Sequence, residues 1–105
     1  MGIVMRKIVL LCSTGLSTGI LVKKMKEEAK NLGYECEIEF YPLANAGSMA
    51  NDADVILLAP QVRSSLGEVK SKCPNVKVTA IDAKLYSVLD AVGILDLAQK
   101  TVGDY

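Results

Sequence analysis

Residues 7–19 read Lys-Ile-Val-Leu-Leu-Cys-Ser-Thr-Gly-Leu-Ser-Thr-Gly, an apolar run that gives way at Cys12 to a loop of glycine, serine and threonine. A continuous apolar run of this length is typical of a strand that is buried on both faces of a parallel sheet. Apolar residues at helical spacing follow the loop and stop at Gly33, which is a common residue just beyond a helix end. The segment therefore predicts a strand, a loop and a helix in succession.

Three further strands are predicted downstream, at residues 35–41, 55–58 and 76–81. The first and third of them alternate apolar and polar residues, as half-exposed strands do, whereas residues 55–58 are all apolar. Helical segments lie between and after these strands. They are a weakly helical stretch at 43–50, a helical stripe at 62–73 and a C-terminal helix capped by Asp90.

The alternation of strands and helices predicts an α/β fold with one four-stranded parallel open sheet and helices on both faces. The two apolar strands belong at its centre and the two alternating strands at its edges. Right-handed crossovers then give the spatial order 2-1-3-4. Cys12 and the pair Pro60-Gln61 come directly after the two central strands, at the switch point where open sheets bind ligands.

Composition limits the function classes. The 105 residues carry no net charge and include no tryptophan and no long basic run, which argues against a polyanion-binding module. Three cysteines without CxxC spacing and no histidine cannot form a zinc or haem site, so no metal or cofactor is expected. No apolar stretch is long enough to cross a bilayer, and no signal peptide is evident. We expect a single cytoplasmic domain over 1–105, with residues 1–6 as a candidate loose extension.

The loop after Cys12 has the composition of an anion cradle. Its backbone N–H groups can surround a phosphoryl group, and the following helix N-terminus adds partial positive charge that favours the thiolate of Cys12. A thiolate beside such a cradle is suited to nucleophilic attack on phosphorus. An alternative is that Cys12 is only a small buried apolar residue, as we interpret Cys36 and Cys73. The predicted phosphate-binding residues are Ser13, Thr14, Gly15, Leu16, Ser17 and Thr18, with Pro60 and Gln61 supporting them.

The loop is also similar to the Cys-x5-Arg signature of tyrosine phosphatases, but Thr18 stands where those enzymes have arginine. They use the guanidinium to hold the phosphoryl oxygens and a carboxylic acid to protonate the leaving group. Asp82 and Asp90 are the only carboxylates that we expect near this end of the sheet, and neither lies in a recognisable acid loop. The pattern favours a phosphoryl carrier over a hydrolase.

Three stretches of the chain carry a specific resemblance to a known family. They are residues 7–18, Ala-Asp-Val-Ile-Leu-Leu-Ala-Pro-Gln-Val at 53–62, and Ile-Asp at 81–82 followed by Leu-Tyr at 85–86. Over about residues 6–100 the chain resembles the enzyme IIB components of the lactose/cellobiose class of the phosphotransferase system, nearest to the cellobiose or diacetylchitobiose branch. The family fold is similar to that of low-molecular-weight phosphatases, a flavodoxin-related three-layer arrangement.

The resemblance implies that Cys12 accepts phosphate from a histidine of a IIA protein. It then donates this phosphate to a cellobiose-like or chitobiose-like β-glucoside held by the membrane IIC protein. It also implies a phosphotransferase that docks transiently on both partners, and we expect a monomer. Two alternatives stay open: a phosphatase or arsenate-reductase-like enzyme that uses Cys12, and a module in which Cys12 senses oxidants.

Two further features have no assigned role. Tyr86 is predicted to be a packed aromatic with a solvated hydroxyl. Lys23, Lys24 and Lys26 are more simply a solvated helix face than a docking surface for an acidic partner.

Overall fold

The computed structural model describes residues 5–13 and 16–104. These residues form one β-sheet with α-helices packed against it. All four predicted strands are present. Their bounds differ from the expected ones by no more than one or two residues. They are β1 (Arg6–Cys12), β2 (Cys36–Pro42), β3 (Val55–Leu58) and β4 (Lys77–Ala80).

Five α-helices lie within the described residues, and short 3-10 turns at Leu43–Asn45 and Pro60–Ser65 precede the second and third. The stretch predicted as one helix from residue 62 to 73 is therefore a 3-10 turn followed by a short α-helix. The helices are α1 (Leu16–Leu32), α2 (Ala46–Met49), α3 (Leu66–Lys72), α4 (Ala83–Ser87) and α5 (Ala91–Val102).

The strands form one parallel sheet in the order β2-β1-β3-β4, as predicted. Cys12 pairs with Pro42 of β2, and Leu11 pairs with Leu58 of β3, so these strand ends meet at one edge of the sheet. The chain leaves β1 towards β2 on one side and β3 towards β4 on the other. The predicted switch point at the carboxyl ends of β1 and β3 is confirmed.

Helices cover both faces of the sheet. Helix α1 packs against α5, and α2 packs against α3, while α5 and α3 both contact β4. The whole of Ile8–Cys12 and of β3 is buried between these two layers, which is why neither strand alternates in its sequence. The central strands thus hold the carboxyl edge of the sheet in a fixed position.

Three local features differ from the sequence predictions. Arg6, assigned to the end of a loose extension, is the first residue of β1 and pairs with Cys36; residues 1–4 lie outside the described residues. Phe40, predicted on the apolar face of its strand, remains 38% exposed because β2 is an edge strand. Helix α4 is a short helix that the sequence analysis does not predict, and it is capped by Asp82, whose carboxylate accepts from the Lys84 backbone N–H at 2.9 Å.

Candidate functional site

Cys12 is the last residue of β1 and lies at the carboxyl edge between β2 and β3. Its side chain is buried, with 3% of the residue exposed, and the thiol donates weakly to the Tyr41 carbonyl oxygen at 3.8 Å. Ladder pairing with β2 fixes its backbone. The sulfur is therefore held at the edge of the sheet where the loop to α1 begins.

The loop after Cys12 is described only in part. Ser13 is exposed, whereas the predicted phosphate-binding residues Thr14 and Gly15 lie outside the described residues. Leu16 begins α1, so the N–H groups of the first turn of this helix have no acceptor within the helix itself. A helix N-terminus that follows the cysteine in this way is suited to bind an anion.

Two predicted residues of the first turn of α1 have different environments. Ser17 is exposed. Thr18 is 1% exposed, and its hydroxyl oxygen lies 2.6 Å from the hydroxyl oxygen of Tyr86, which is 8% exposed. Thr18 was predicted to offer its hydroxyl to a phosphoryl group, but that hydroxyl is already engaged with Tyr86. Tyr86 is packed as predicted, whereas its hydroxyl is bonded to Thr18 and not simply solvated.

An open groove of about 390 Å³ lies beside the start of α1. It brings Ser17 together with Pro60 and Gln61, the two residues predicted to support the cysteine loop. Residues of α4 and of the turn after it form the opposite wall. The groove is lined by Ser17, Pro60, Gln61, Ala83, Tyr86, Ser87 and Leu89.

The turn that follows α4, a few residues after Tyr86, is tightly built. Leu89 adopts a positive φ of 50°, and its backbone N–H donates to the Tyr86 carbonyl oxygen at 3.0 Å. Next to it, the Asp90 N–H donates to the Leu85 carbonyl oxygen at 2.9 Å. A left-handed conformation is unfavourable for leucine, and such strain is retained only where the surrounding structure fixes it.

The two carboxylates expected near this edge both cap helices. Asp82 caps α4, and Asp90 caps α5 by accepting from the Gly93 backbone N–H at 2.9 Å. The predicted cap at Asp90 is confirmed. Each carboxylate thus has a structural partner that accounts for its position.

The other two thiols have surroundings that differ from those of Cys12. Cys73 is fully buried and donates to the Ala46 carbonyl oxygen at 3.5 Å, and burial raises the pKa of its thiol. Cys36 is half-buried in β2, and burial again raises the pKa of its thiol. Both are consistent with packing roles.

Within residues 5–13 and 16–104, no group of three or more histidine, cysteine, aspartate or glutamate side chains could hold a metal ion. None of the helices in the same part of the chain combines the length and the apolar character needed to cross a membrane.

Two solved structures that share this fold are both IIB components of the phosphotransferase system. The lactose-specific IIB component domain of the phosphotransferase system from Streptococcus pneumoniae superimposes with a TM-score of 0.83 at 20% identity, over 93% of this chain and 98% of that one. The cellobiose-specific phosphotransferase IIB component from Borrelia burgdorferi gives a TM-score of 0.80 at 26% identity, over 98% and 96% of the two chains. The first of these likenesses shows the fold alone.

Sequence comparison points to the same class. The family model described as "PTS system, Lactose/Cellobiose specific IIB subunit" matches residues 7–97. The oligo-β-mannoside-specific EIIB component of Bacillus subtilis is 38% identical over 88 residues, which are 82% of this chain and 85% of that protein. The cellobiose-specific EIIB component of Lactococcus lactis is 33% identical over 99 residues, which are 88% of this chain and 92% of that protein.

Fold and sequence together define a sugar-specific component of the phosphotransferase system. The chain belongs to the lactose/cellobiose-specific IIB family. IIB components are phosphotransferases of sugar import and work with IIA and IIC partners.

Proposed function

We propose that Cys12 is the residue of this IIB component that carries the phosphoryl group. The observation that supports this most directly is its position: the thiol ends the central strand β1 at the switch point, and the first turn of α1 follows within four residues. The backbone N–H groups of that turn, together with those of residues 13–15, are the proposed donors to the phosphoryl oxygens.

The proposed reaction has two displacements at phosphorus. In the first, the Cys12 thiolate attacks the phosphorus of a IIA phosphohistidine, the S–P bond forms, and the P–N bond breaks with its electron pair leaving on the imidazole. In the second, a sugar hydroxyl oxygen in the IIC protein attacks the same phosphorus. The S–P bond then breaks, the thiolate is regenerated, and the hydroxyl proton passes to a base beside the sugar.

Two features favour transfer to a partner over transfer to water. Thr18 stands six residues after Cys12, where tyrosine phosphatases have arginine, and its hydroxyl is bonded to Tyr86. Asp82 and Asp90 are both engaged as helix caps, so neither resembles a general acid that faces a leaving group. Among the residues of the site that the structure describes, none is a recognisable counterpart of the two groups that a phosphatase of this type uses for hydrolysis.

For the sugar, we propose a cellobiose-like or chitobiose-like β-glucoside. The cellobiose-specific relative supports this class, and the name of the Bacillus subtilis relative likewise contains a β-linked sugar. A galactose-specific EIIB component of Lactococcus lactis is also 33% identical, so galactose is the competing sugar. We further propose that the protein acts in the cytoplasm as a monomer that docks transiently on IIA and IIC.

The test is reconstitution with phosphoenolpyruvate, the general phosphotransferase proteins and a IIA protein of this class. Mass spectrometry then locates the added phosphoryl group. We expect it on Cys12 and expect none on Cys12→Ser, whereas the matched control Cys36→Ser is phosphorylated like the wild type. Normal phosphorylation of Cys12→Ser would overturn the proposal. Rapid release of inorganic phosphate without any acceptor would favour the phosphatase alternative.

Adding membranes that contain the IIC protein extends the test to the sugar. We expect phosphorylated cellobiose or diacetylchitobiose to form faster than phosphorylated galactose or lactose. The opposite preference would contradict the proposed sugar class without affecting the assignment of Cys12.

A further inference from the structure

The hydrogen bond between Thr18 and Tyr86 joins two parts of the chain that are 68 residues apart. Both side chains are buried, and the two oxygens are 2.6 Å apart. In such an environment a hydrogen bond is strong, and breaking it leaves a polar group unsatisfied. The contact therefore fixes the position of Thr18 relative to α4.

Thr18 is the far anchor of the cysteine loop. Cys12 is held by its pairing in the sheet, and only five residues separate it from Thr18, the third residue of α1. With Cys12 held in the sheet and Thr18 held by Tyr86, the start of α1 is fixed relative to the end of β1. Whatever holds Thr18 consequently also sets where the N–H groups of the first turn of α1 lie relative to the sulfur.

Tyr86 is well placed to act as that support. The Tyr86 N–H donates to the Asp82 carbonyl oxygen at 3.0 Å, and the Asp82 carboxylate caps the same short helix. On its other side the strained turn at Leu89 accounts for the abrupt passage from α4 to α5. The tyrosine thus projects from a braced segment and not from a free loop.

The two hydroxyls carry two protons, and their mutual hydrogen bond uses only one. The pair therefore keeps one O–H proton for a further acceptor. That proton gives the pair a donor at the start of α1, the helix whose first turn follows Cys12.

We propose that Tyr86 is a positioning residue for phosphoryl transfer at Cys12: through Thr18 it holds the first turn of α1 in the geometry that receives the phosphoryl group. The proposal rests on the proposed function of Cys12. It assigns to the Tyr86 hydroxyl a role in the reaction that its packing alone does not require.

The test measures kcat and KM for transfer from the phosphorylated IIA protein, at a temperature well below the unfolding midpoint of every variant. We expect Tyr86→Phe and Thr18→Val each to lower kcat about tenfold while KM changes by less than about twofold. The kcat of the double variant should be no lower than that of the less active single variant, because the two residues act as one unit. Thr18→Ser, which keeps a hydroxyl, should retain most of the wild-type kcat.

Tyr34→Phe is the matched control, since it also removes a bonded tyrosine hydroxyl, there at Asp104 and away from the groove. Its kcat should equal that of the wild type. If Tyr86→Phe stays within about twofold of the wild type, or if Tyr34→Phe loses as much, the positioning role is overturned. A wild-type protein that takes no phosphoryl group on Cys12 would instead overturn the proposed function, and this inference with it.

Discussion

The Arg6 guanidinium donates to the Asp104 carboxylate at 2.6 Å, which ties the first residue of β1 to the chain just beyond the end of α5. The Arg6 Nε–H is shared between the two oxygens of the same carboxylate, each 3.1 Å away, and the Tyr34 hydroxyl also donates to this carboxylate. Both partners of the ion pair are partly buried, with 27% and 18% of their side chains exposed. This cluster closes the amino end of the sheet, opposite the edge where Cys12 lies.

Removing the carboxylate charge should therefore weaken the fold. We expect Asp104→Asn to lower the free energy of unfolding by about 1 to 2 kcal/mol at neutral pH, because charge-assisted hydrogen bonds are lost. Chemical denaturation measures this. Asp96→Asn is the control: it removes one partner of an exposed pair with Lys100, and it should change the free energy by less than about 0.5 kcal/mol. Equal losses in the two variants would contradict the prediction.

The same cluster predicts how stability responds to acid. The hydrogen bonds from Arg6 hold the pKa of Asp104 below its ordinary value, so the folded protein binds fewer protons there than the unfolded chain. This contribution is fully present above the unfolded pKa of about 3.9 and is lost as the pH falls through the folded pKa. The free energy of unfolding, measured by chemical denaturation at several acid pH values, should fall less steeply with decreasing pH for Asp104→Asn than for the wild type. Parallel curves would show that Asp104 is not the group responsible.

Tyr34 should make the protein sensitive to alkali. Burial, followed by the hydrogen bond to Asp104, raises the pKa of its phenol far above the ordinary value. The folded state therefore favours the neutral phenol, and the resulting stabilisation is present below the unfolded pKa of about 10 and lost as the pH rises through the folded pKa. In an absorbance titration, the Tyr34 phenol should ionise late, and Tyr34→Phe should remove that late step. A late step that survives this substitution would contradict the assignment.

Two helical glycines, one in α5 and one in α3, offer a paired test of how closely their surroundings are packed. A Cβ atom at Gly93 would lie 3.0 Å from both the Asp90 carboxylate and Leu85, and that carboxylate cannot move without losing its cap. At Gly67 in α3, a Cβ atom would meet nothing within 4 Å. We expect Gly93→Ala to cost about 1 kcal/mol and Gly67→Ala to gain up to about 1 kcal/mol. Thermal unfolding of both variants distinguishes these opposite signs.

Strand patterning accounts for most of what the sequence predicts correctly. Residues that are buried on both faces need no alternation, so the continuous runs at 8–11 and 55–58 identified the central strands and the edge where Cys12 lies. Phe40 marks the limit of that reasoning. It follows the alternation of its strand, yet it stays partly exposed because β2 has no neighbouring strand on its outer side.

The partner of Thr18 was beyond prediction for a different reason. A hydrogen bond between residues 18 and 86 leaves no periodic trace in either segment, because it depends on how α4 packs on the start of α1. Helix α4 itself was missed because five residues are too few to establish a helical period. Local sequence patterns thus predict where the site lies, whereas the contacts within the site depend on tertiary packing.

Asp82 and Asp90 distinguish a carrier from a hydrolase most directly. Asparagine offers the same kind of side-chain oxygen to a helix N-terminus, so Asp82→Asn and Asp90→Asn should keep both caps and leave stability within a few tenths of a kcal/mol. If the protein is a phosphoryl carrier, transfer from phosphorylated IIA should be unchanged in both variants. A phosphatase that used either carboxylic acid would lose about 10²-fold or more of its phosphate release in the corresponding variant. Phosphate release and Cys12 phosphorylation, followed in the same reaction, separate the two outcomes, and such a loss would contradict the carrier assignment.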